Sequence, residues 1–238
     1  PLLLLISLPL WGKSRFPQRA GDFRALAVAD AWKVLTTNEV WTTLSNFGQH
    51  GDPNSILPSY SWPGNAPGQN VYYLWDGRIW LAAFVNGVKY VTHYDYGAGK
   101  KEWAPSTDNL GSGFAWIGPD KSFIDVEARY DDWRSNPGSR NPNGLGVKII
   151  ERIMGWPQYP YSQIYVYELG VIYNKSEASI SPAPDTLEFF LGWQYDADVC
   201  GADNSSPHID DLVYYDGAPE ECAIFFTKNY KMGWEDSL

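Results

Sequence analysis

The sequence predicts an all-β protein: a mostly antiparallel, jelly-roll-like β-sandwich with long loops rich in Pro, Gly and Asn and with little helix. Aromatic residues make up 16% of the 238 residues, with 12 Trp and 16 Tyr, and such side chains favour strands. Short apolar runs recur between clusters of Gly, Pro, Asn and Asp, which is typical of sandwiches. Several runs alternate apolar and polar residues, a pattern that gives a strand one buried face.

The elements are predicted in chain order from these runs and breaks. A short helix is predicted over residues 22–35. Strands are predicted over residues 39–44, 71–75, 78–85, 88–93, 123–130, 147–156, 163–173, 187–196, 211–215 and 222–227. Asp76-Gly77 and Asn86-Gly87 tolerate positive φ, so each is predicted to form a tight hairpin turn in a three-strand meander. Residues 48–69 and 131–146 are predicted loops.

The N-terminal residues 1–29 are predicted to be a truncated signal peptide. The apolar run over residues 2–10 is shorter than the ~20 residues that span a bilayer, and residues 25–31 offer Ala-x-Ala cleavage sites. The alternatives are an ordinary apolar strand and a membrane-proximal anchor. Residues 30–238 are then a single β-sandwich domain, with a subdivision near residues 131–146 as a second possibility. We therefore expect an extracellular or cell-surface protein without a transmembrane span.

The charge of the chain narrows the classes of partner. A formal net charge of −10 repels phosphate backbones and anionic membranes, so neither nucleic acid nor an anionic membrane surface is expected to bind. Cations and neutral polymers fit better. A disulfide between Cys200 and Cys222 would close a loop of roughly 20 residues and contribute ~3 kcal/mol. Two unpaired buried cysteines are the alternative.

An acidic segment follows one of the strongest predicted strands. The stretch "LGWQYDADVC" over residues 191–200 is followed by "HIDDLVYYD" over residues 208–216. Period two places apolar odd-numbered residues on one face, so Asp196 and Asp198 share the other face about 7 Å apart. Together with Asp210 and Asp211 they offer the oxygen ligands that Ca²⁺ prefers. The alternative is that these aspartates cap strand ends and accept hydrogen bonds from loop amides.

Carboxylates and histidines in the sequence are candidates for two further kinds of site, a glycosidase pair and a zinc site. Glu168, Glu188, Asp196 and Asp198 are the candidates for a glycosidase pair, which needs two carboxylates at a defined separation. His50, His93 and His208 each stand alone in the sequence, without the spacing of a zinc site. The sequence therefore does not favour zinc, and it does not identify which carboxylates would pair.

Tryptophans in or beside the loops suggest a different kind of site. They are Trp62, Trp103, Trp116, Trp133 and Trp156. Exposed aromatic rings stack on the apolar faces of sugars, and Trp133 and Trp156 are the candidate ligand-binding residues. The alternative is that these side chains seal the loops onto the sandwich.

Several phrases of the sequence resemble a known group of proteins. They are "NEVWTTLSNFG" (residues 38–48), "SWPG" (61–64), "DGRIWLAAFVNGVKYV" (76–91), "YELGVIYNKS" (167–176), "FFLGWQYDADV" (189–199) and "DDLVYYD" (210–216). The chain resembles large, uncharacterised secreted proteins of environmental bacteria, many of which carry a sorting domain for type IX secretion. The resemblance implies an extracellular β-sandwich and no established activity.

The sequence thus favours a secreted or cell-surface, non-catalytic β-sandwich that binds a glycan and is stabilised by calcium. Its expected partners are a polysaccharide or neighbouring copies of itself. A structural subunit of an extracellular layer or filament is the first alternative. A glycoside hydrolase-like enzyme is the second.

Overall fold

The fold is all-β and mostly antiparallel, as predicted: the described residues lie mostly in strands of antiparallel sheets, and almost none of them lie in helix. The computed structural model describes residues 6–7, 28–51, 58–62, 64, 73–95, 100–136, 139–196, 213–216 and 224–227. The strands of these residues are β1 Ile6–Ser7, β2 Trp32–Leu35, β3 Thr42–Ser45, β4 Gln49–His50, β5 Asp76–Val85, β6 Val88–Thr92, β7 Tyr94–Asp95, β8 Lys100–Lys101, β9 Ala104–Pro105, β10 Trp116–Gly118, β11 Ile124–Asp131, β12 Arg134–Asn136, β13 Ser139–Arg140, β14 Val147–Gly155, β15 Tyr165–Tyr173, β16 Phe189–Asp196, β17 Val213–Asp216 and β18 Ile224–Thr227. Two 3-10 turns lie at Tyr161–Gln163 and Lys175–Glu177.

Most of these strands belong to two larger sheets. Sheet A has the order β1-β15-β14-β11-β10, and β9 pairs with the other end of β11. Sheet B has the order β16-β5-β4-β3-β2, and β6 pairs with β5 beside β4. The remaining strands form the two-stranded ladders β7–β8, β12–β13 and β17–β18. The pairing of β1 with β15 is parallel, whereas the other ladders of the described residues are antiparallel.

The alternation of side chains gives each sheet an inner and an outer face. In β16 the odd-numbered residues are half-buried and pack against the core, and the even-numbered residues are exposed, as the period-two pattern predicts. Inner-face residues of both sheets share two clusters of buried side chains. Ile79 and Leu81 of sheet B lie with Val147 and Ile149 of sheet A in one of them. The two sheets therefore share a core. The full sandwich packing and the jelly-roll-like strand order stay predictions.

The strand predictions agree with the structure in the longest segments. The predicted strands over 78–85, 147–156, 163–173 and 187–196 correspond to β5, β14, β15 and β16 within two residues at each end. The Asn86-Gly87 hairpin is confirmed, because φ is 53° at Asn86 and 79° at Gly87 between the paired strands β5 and β6.

Several local predictions are wrong. Residues 73–75, the described end of the strand predicted over 71–75, form no strand, so the predicted three-strand meander reduces to the β5–β6 hairpin. Strand β4 and the β12–β13 ladder lie in the two predicted loops. Asp76-Gly77 is not a turn: both residues belong to β5, where Gly77 pairs with His50 and Tyr195. A Cβ at Gly77 would lie 3.2 Å from the Tyr195 ring, so glycine serves close packing here. Residues 32–35 of the predicted helix form β2 instead, because Trp32, Val34 and their neighbours pair with β3. No helix in the described part of the chain is long and apolar enough to cross a membrane.

Candidate functional site

Of the acidic segment, the structure describes residues 191–196 and 213–216. Asp196 is exposed at the end of β16 and lies directly opposite Asp76 of β5. Arg78 forms an ion pair with the Asp76 carboxylate, so a guanidinium already neutralises one of these two facing carboxylates. Among the residues that the structure describes, no group of three or more His, Cys, Asp or Glu side chains is placed to hold a metal ion. Asp198, Asp210, Asp211, Cys200 and Cys222 lie outside the described residues, so the calcium and disulfide interpretations stay predictions.

The predicted glycosidase carboxylates do not come together in the described residues. On β15, Tyr167 and Leu169 face the core, so Glu168 projects from the outer face of sheet A and pairs with Lys121. Asp196 projects from the outer face of sheet B, and Glu188 is exposed just before the same strand. Glu168 and Asp196 therefore lie on the outer faces of different sheets, where they do not form the pair of carboxylates at roughly 5–9.5 Å that a glycosidase uses.

Trp133 is half-buried, and a cation covers part of its ring. The Nζ atom of Lys148 lies 5.5 Å from the centroid of the Trp133 ring. A lysine in this position makes a cation–π contact and occupies a face on which a sugar would stack. The contact of Trp133 with Lys148 therefore favours the alternative interpretation, in which tryptophan fastens a loop to the sheet.

Asp132, the residue before Trp133, is fully buried at the end of β11. Its carboxylate accepts hydrogen bonds from the backbone amides of Leu145 (2.8 Å) and Val147 (2.7 Å). Burial nevertheless raises the pKa of Asp132 to about 6, because removing a carboxylate from water disfavours the charged form. Asp132 thus fastens the segment before β14 to the end of β11.

Trp156 belongs to an exposed aromatic segment between β14 and β15. Trp156 is half-buried, and its ring centroid lies 6.2 Å from that of Tyr161, with a tilt of 53°. Tyr161 is 53% exposed and Tyr159 is 86% exposed. Aromatic side chains at this exposure have faces that solvent, or a ligand, can reach.

The segment that contains Glu39, just before β3, is hydrogen-bonded to this aromatic segment. Ser162 Oγ and Gln163 Nε2 each donate a hydrogen bond of 2.9 Å to the Glu39 carboxylate. Trp62, which is 44% exposed, lies in a segment next to Glu39. The Gly64 amide of this segment donates a hydrogen bond of 2.7 Å to the Glu39 carbonyl oxygen, and the Ser61 carbonyl oxygen accepts one of 2.9 Å from the Trp41 amide. Hydrogen bonds from Gln163 and then from Ser162 hold the pKa of Glu39 below its usual value, so this exposed carboxylate stays ionised.

These residues form one surface, which we call the Glu39 surface. It consists of Glu39, Trp62, Trp156, Tyr159, Tyr161, Ser162 and Gln163. It combines exposed aromatic rings with a fixed carboxylate and an amide. Sequence reasoning singled out Trp156 and considered Trp62, but it missed Glu39, Tyr159 and Tyr161, because no local pattern indicates that residues 39 and 162 meet.

The other loop tryptophans, Trp103 and Trp116, differ in how much of the side chain is exposed. Trp103 is 1% exposed, and its Nε1 atom donates a hydrogen bond of 2.9 Å to the carbonyl oxygen of Ile79. This tryptophan seals a loop onto sheet B, as the alternative interpretation predicts. Trp116 is 46% exposed on β10 and so resembles Trp62 in accessibility.

A buried polar cluster between the sheets was not predicted. His50 of β4 and Glu151 of β14 are both fully buried, and His50 Nε2 lies 2.5 Å from Glu151 Oε1. This contact lacks the alignment of a hydrogen bond. Tyr130 donates a hydrogen bond of 3.0 Å to the other Glu151 oxygen. The sequence signal was Glu151 itself, since it interrupts the apolar stripe of residues 147, 149 and 153.

Aromatic rings surround His50 in this cluster. The imidazole is stacked on Tyr167 at 5.1 Å with an interplanar angle of 19°, and Trp193 meets it edge-on at 4.7 Å. The hydroxyl groups of Tyr60 and Tyr167 are in direct contact. Burial raises the pKa of both tyrosines, which therefore remain protonated. The cluster joins the two sheets through polar contacts inside an apolar core.

The described residues thus define an all-β protein, and several of its accessible aromatic and polar groups meet at the Glu39 surface. No protein-family model matches the chain, and neither a curated protein nor a solved structure matches it.

Proposed function

We propose that the protein is a non-catalytic binding module, extracellular or displayed at a cell surface, that recognises a neutral polysaccharide at the Glu39 surface. The observation that carries the proposal is that hydrogen bonds join Glu39 both to the segment that contains Trp62 and to Ser162 and Gln163, which follow Tyr161. Extracellular location is supported by the resemblance of the sequence to secreted bacterial proteins and by the predicted signal peptide.

The chemistry of the Glu39 surface suits a sugar. Pyranose rings have apolar C–H faces that stack on aromatic rings, and exposed indole and phenol rings offer such contacts. Sugar hydroxyls donate to a carboxylate and exchange hydrogen bonds with an amide, and Glu39 and Gln163 supply these groups. A formal net charge of −10 disfavours an anionic glycan, so a neutral polymer is the expected class.

A glycan array followed by titration calorimetry tests this proposal. Trp62→Ala and Tyr161→Ala each remove one ring, and each is expected to weaken binding of the glycan found on the array by about 2- to 10-fold. Trp116→Ala is the matched control, because Trp116 is as exposed as Trp62 but lies on β10. We expect it to bind like the unchanged protein.

Two outcomes contradict the proposal. One is an array on which no neutral glycan binds. The other is equal weakening by Trp62→Ala and Trp116→Ala, since that would place the sugar somewhere other than the Glu39 surface. Calcium remains part of the proposal as a stabilising ion held by Asp196, Asp198, Asp210 and Asp211, and it is tested separately below.

A further inference from the structure

The outer face of sheet B carries an apolar surface that the glycan proposal does not use. Trp80 and Phe84 lie on β5, Phe190 lies on β16, and Val91 lies on β6. The ladders place Phe190 and Val91 on either side of Ala82, between Trp80 and Phe84 along the strand. We call Trp80, Ala82, Phe84, Phe190 and Val91 together the Trp80 face. Exposure is 39% for Trp80, 63% for Phe84, 62% for Phe190 and 38% for Val91.

The area of the Trp80 face is suited to association of two protein chains. A fully buried aromatic side chain removes about 150–250 Å² from solvent, so the exposed parts of the three rings offer roughly 250–400 Å². Two copies together would bury roughly 500–800 Å² through these rings alone, and a stable interface needs about 1,200 Å² in total. Val91 and the polar residues around the face supply the remainder.

Two residues of opposite charge lie at the margin of the Trp80 face. Lys89 pairs with Phe84 on the β6 side of β5. On the opposite side, Phe189 pairs with Ala83, which places the exposed Glu188 beside Phe84 on the β16 side. A basic and an acidic residue therefore flank the same row of the sheet on opposite sides.

We infer that two copies of this chain associate through their Trp80 faces, related by a two-fold axis that runs parallel to β5. Such a rotation reverses the left and right sides of the sheet. It therefore sets Phe190 of each copy against Val91 of the other, and Lys89 of each copy against Glu188 of the other. Trp80 and Phe84 meet their own counterparts near the axis. The arrangement is isologous and corresponds to aligned packing of two sheets.

The inference does not depend on glycan binding, because the Trp80 face and the Glu39 surface share no residue. Sedimentation velocity over micromolar to submillimolar concentrations tests it. The unchanged protein is expected to shift from monomer to dimer across this range. Phe84→Ser and Phe190→Ser each remove a central aromatic residue twice per dimer, and each is expected to weaken association by roughly 100-fold. Leu110→Ser is the matched control, since Leu110 is also 63% exposed but lies outside sheet B.

A charge exchange tests the proposed axis. Lys89→Glu and Glu188→Lys each place like charges opposite one another and are expected to weaken the dimer, whereas the double variant restores it. A protein that is monomeric throughout the range overturns the inference, as does a dimer that Phe84→Ser and Phe190→Ser leave unchanged. A dimer that the double charge exchange fails to restore overturns the proposed axis. Glycan binding that requires Trp80 would assign the face to a different occupant and would also overturn the inference.

Discussion

Glu151→Gln is expected to destabilise the fold, because Glu151 makes buried polar contacts with both His50 and Tyr130. The side chains of Glu151 and His50 are both fully buried, and their closest atoms lie 2.5 Å apart. The substitution preserves the volume of the side chain and replaces one carboxylate oxygen by an amide NH2 group. The contacts that the carboxylate makes with His50 and Tyr130 are then no longer matched.

The magnitude follows from the burial of these contacts. A buried polar group that loses its partner costs about 1–3 kcal/mol, because it is not solvated. The same change weakens the hydrogen bond that Glu151 accepts from Tyr130. For a protein of this size, 1 kcal/mol corresponds to roughly 2–4 °C in Tm, so a fall of roughly 2–12 °C is expected.

Urea unfolding followed by tryptophan fluorescence measures the effect as a free energy of unfolding. Glu168→Gln is the matched control: Glu168 also lies in sheet A and pairs with Lys121 at 2.5 Å, but the two side chains are 36% and 51% exposed. A surface pair of this kind contributes about 0–1 kcal/mol. The comparison separates the effect of burial from that of losing a glutamate charge.

A double-mutant cycle with His50→Gln tests the pairing directly. If the two residues compensate each other, the double variant loses less stability than the sum of the single variants, by about 2 kcal/mol. Equal losses for Glu151→Gln and Glu168→Gln would refute the reasoning. Strict additivity in the cycle would refute it as well, since it would mean that His50 and Glu151 do not interact.

Four further outcomes are expected. Burial raises the pKa of Asp132 from its ordinary value of 3.8 to about 6. The folded protein therefore holds the proton of Asp132 more tightly than the unfolded chain does, and the free energy of unfolding falls by about 3 kcal/mol as pH rises from about 4 to 6. Asp132→Asn should remove this slope in urea titrations, and an unchanged slope contradicts the assignment. Gly146→Ala should lower the free energy of unfolding more than Gly87→Ala does. Both glycines have a positive φ, 80° and 79°, but a Cβ at Gly146 would lie 2.4 Å from a backbone oxygen, whereas no atom lies within 4 Å of a Cβ at Gly87. Equal shifts in Tm for the two variants would refute the clash. Trp103→Phe, which loses a buried hydrogen bond and leaves a cavity, should cost about 2 kcal/mol, and a loss below a few tenths would show that the indole N–H is dispensable. Calcium at 100 times its dissociation constant should stabilise the protein by about 2.7 kcal/mol relative to chelator, and an identical melting midpoint in both conditions would end the calcium hypothesis.

Local periodicity was sufficient to predict the long strands and their faces. In β16, strict alternation placed Leu191, Trp193 and Tyr195 toward the core, and the burial of these residues agrees. The same rule placed Glu168 on the outer face of β15. These predictions succeed because a strand turns successive side chains to opposite faces whatever the remainder of the chain does.

Contacts between distant segments could not be predicted in this way. Asp76-Gly77 has the composition of a turn, yet its glycine accommodates the rings of neighbouring strands within β5. His50 lay in a predicted loop and had no metal-site partner in the sequence. Its partner, Glu151, lies about one hundred residues further along and was visible only as an interruption of an apolar stripe.

The sequence by itself determined the all-β class, the long strands and the acidic, aromatic-rich character of the protein, because composition and period-two alternation act within single segments. Only the tertiary structure decided which side chains meet. It joined Glu39 to Ser162 and Gln163, set His50 against Glu151, and separated Glu168 from Asp196 by placing them on different sheets. The physical reason is that pairing between strands and packing between sheets bring together residues whose separation along the chain carries no local signal.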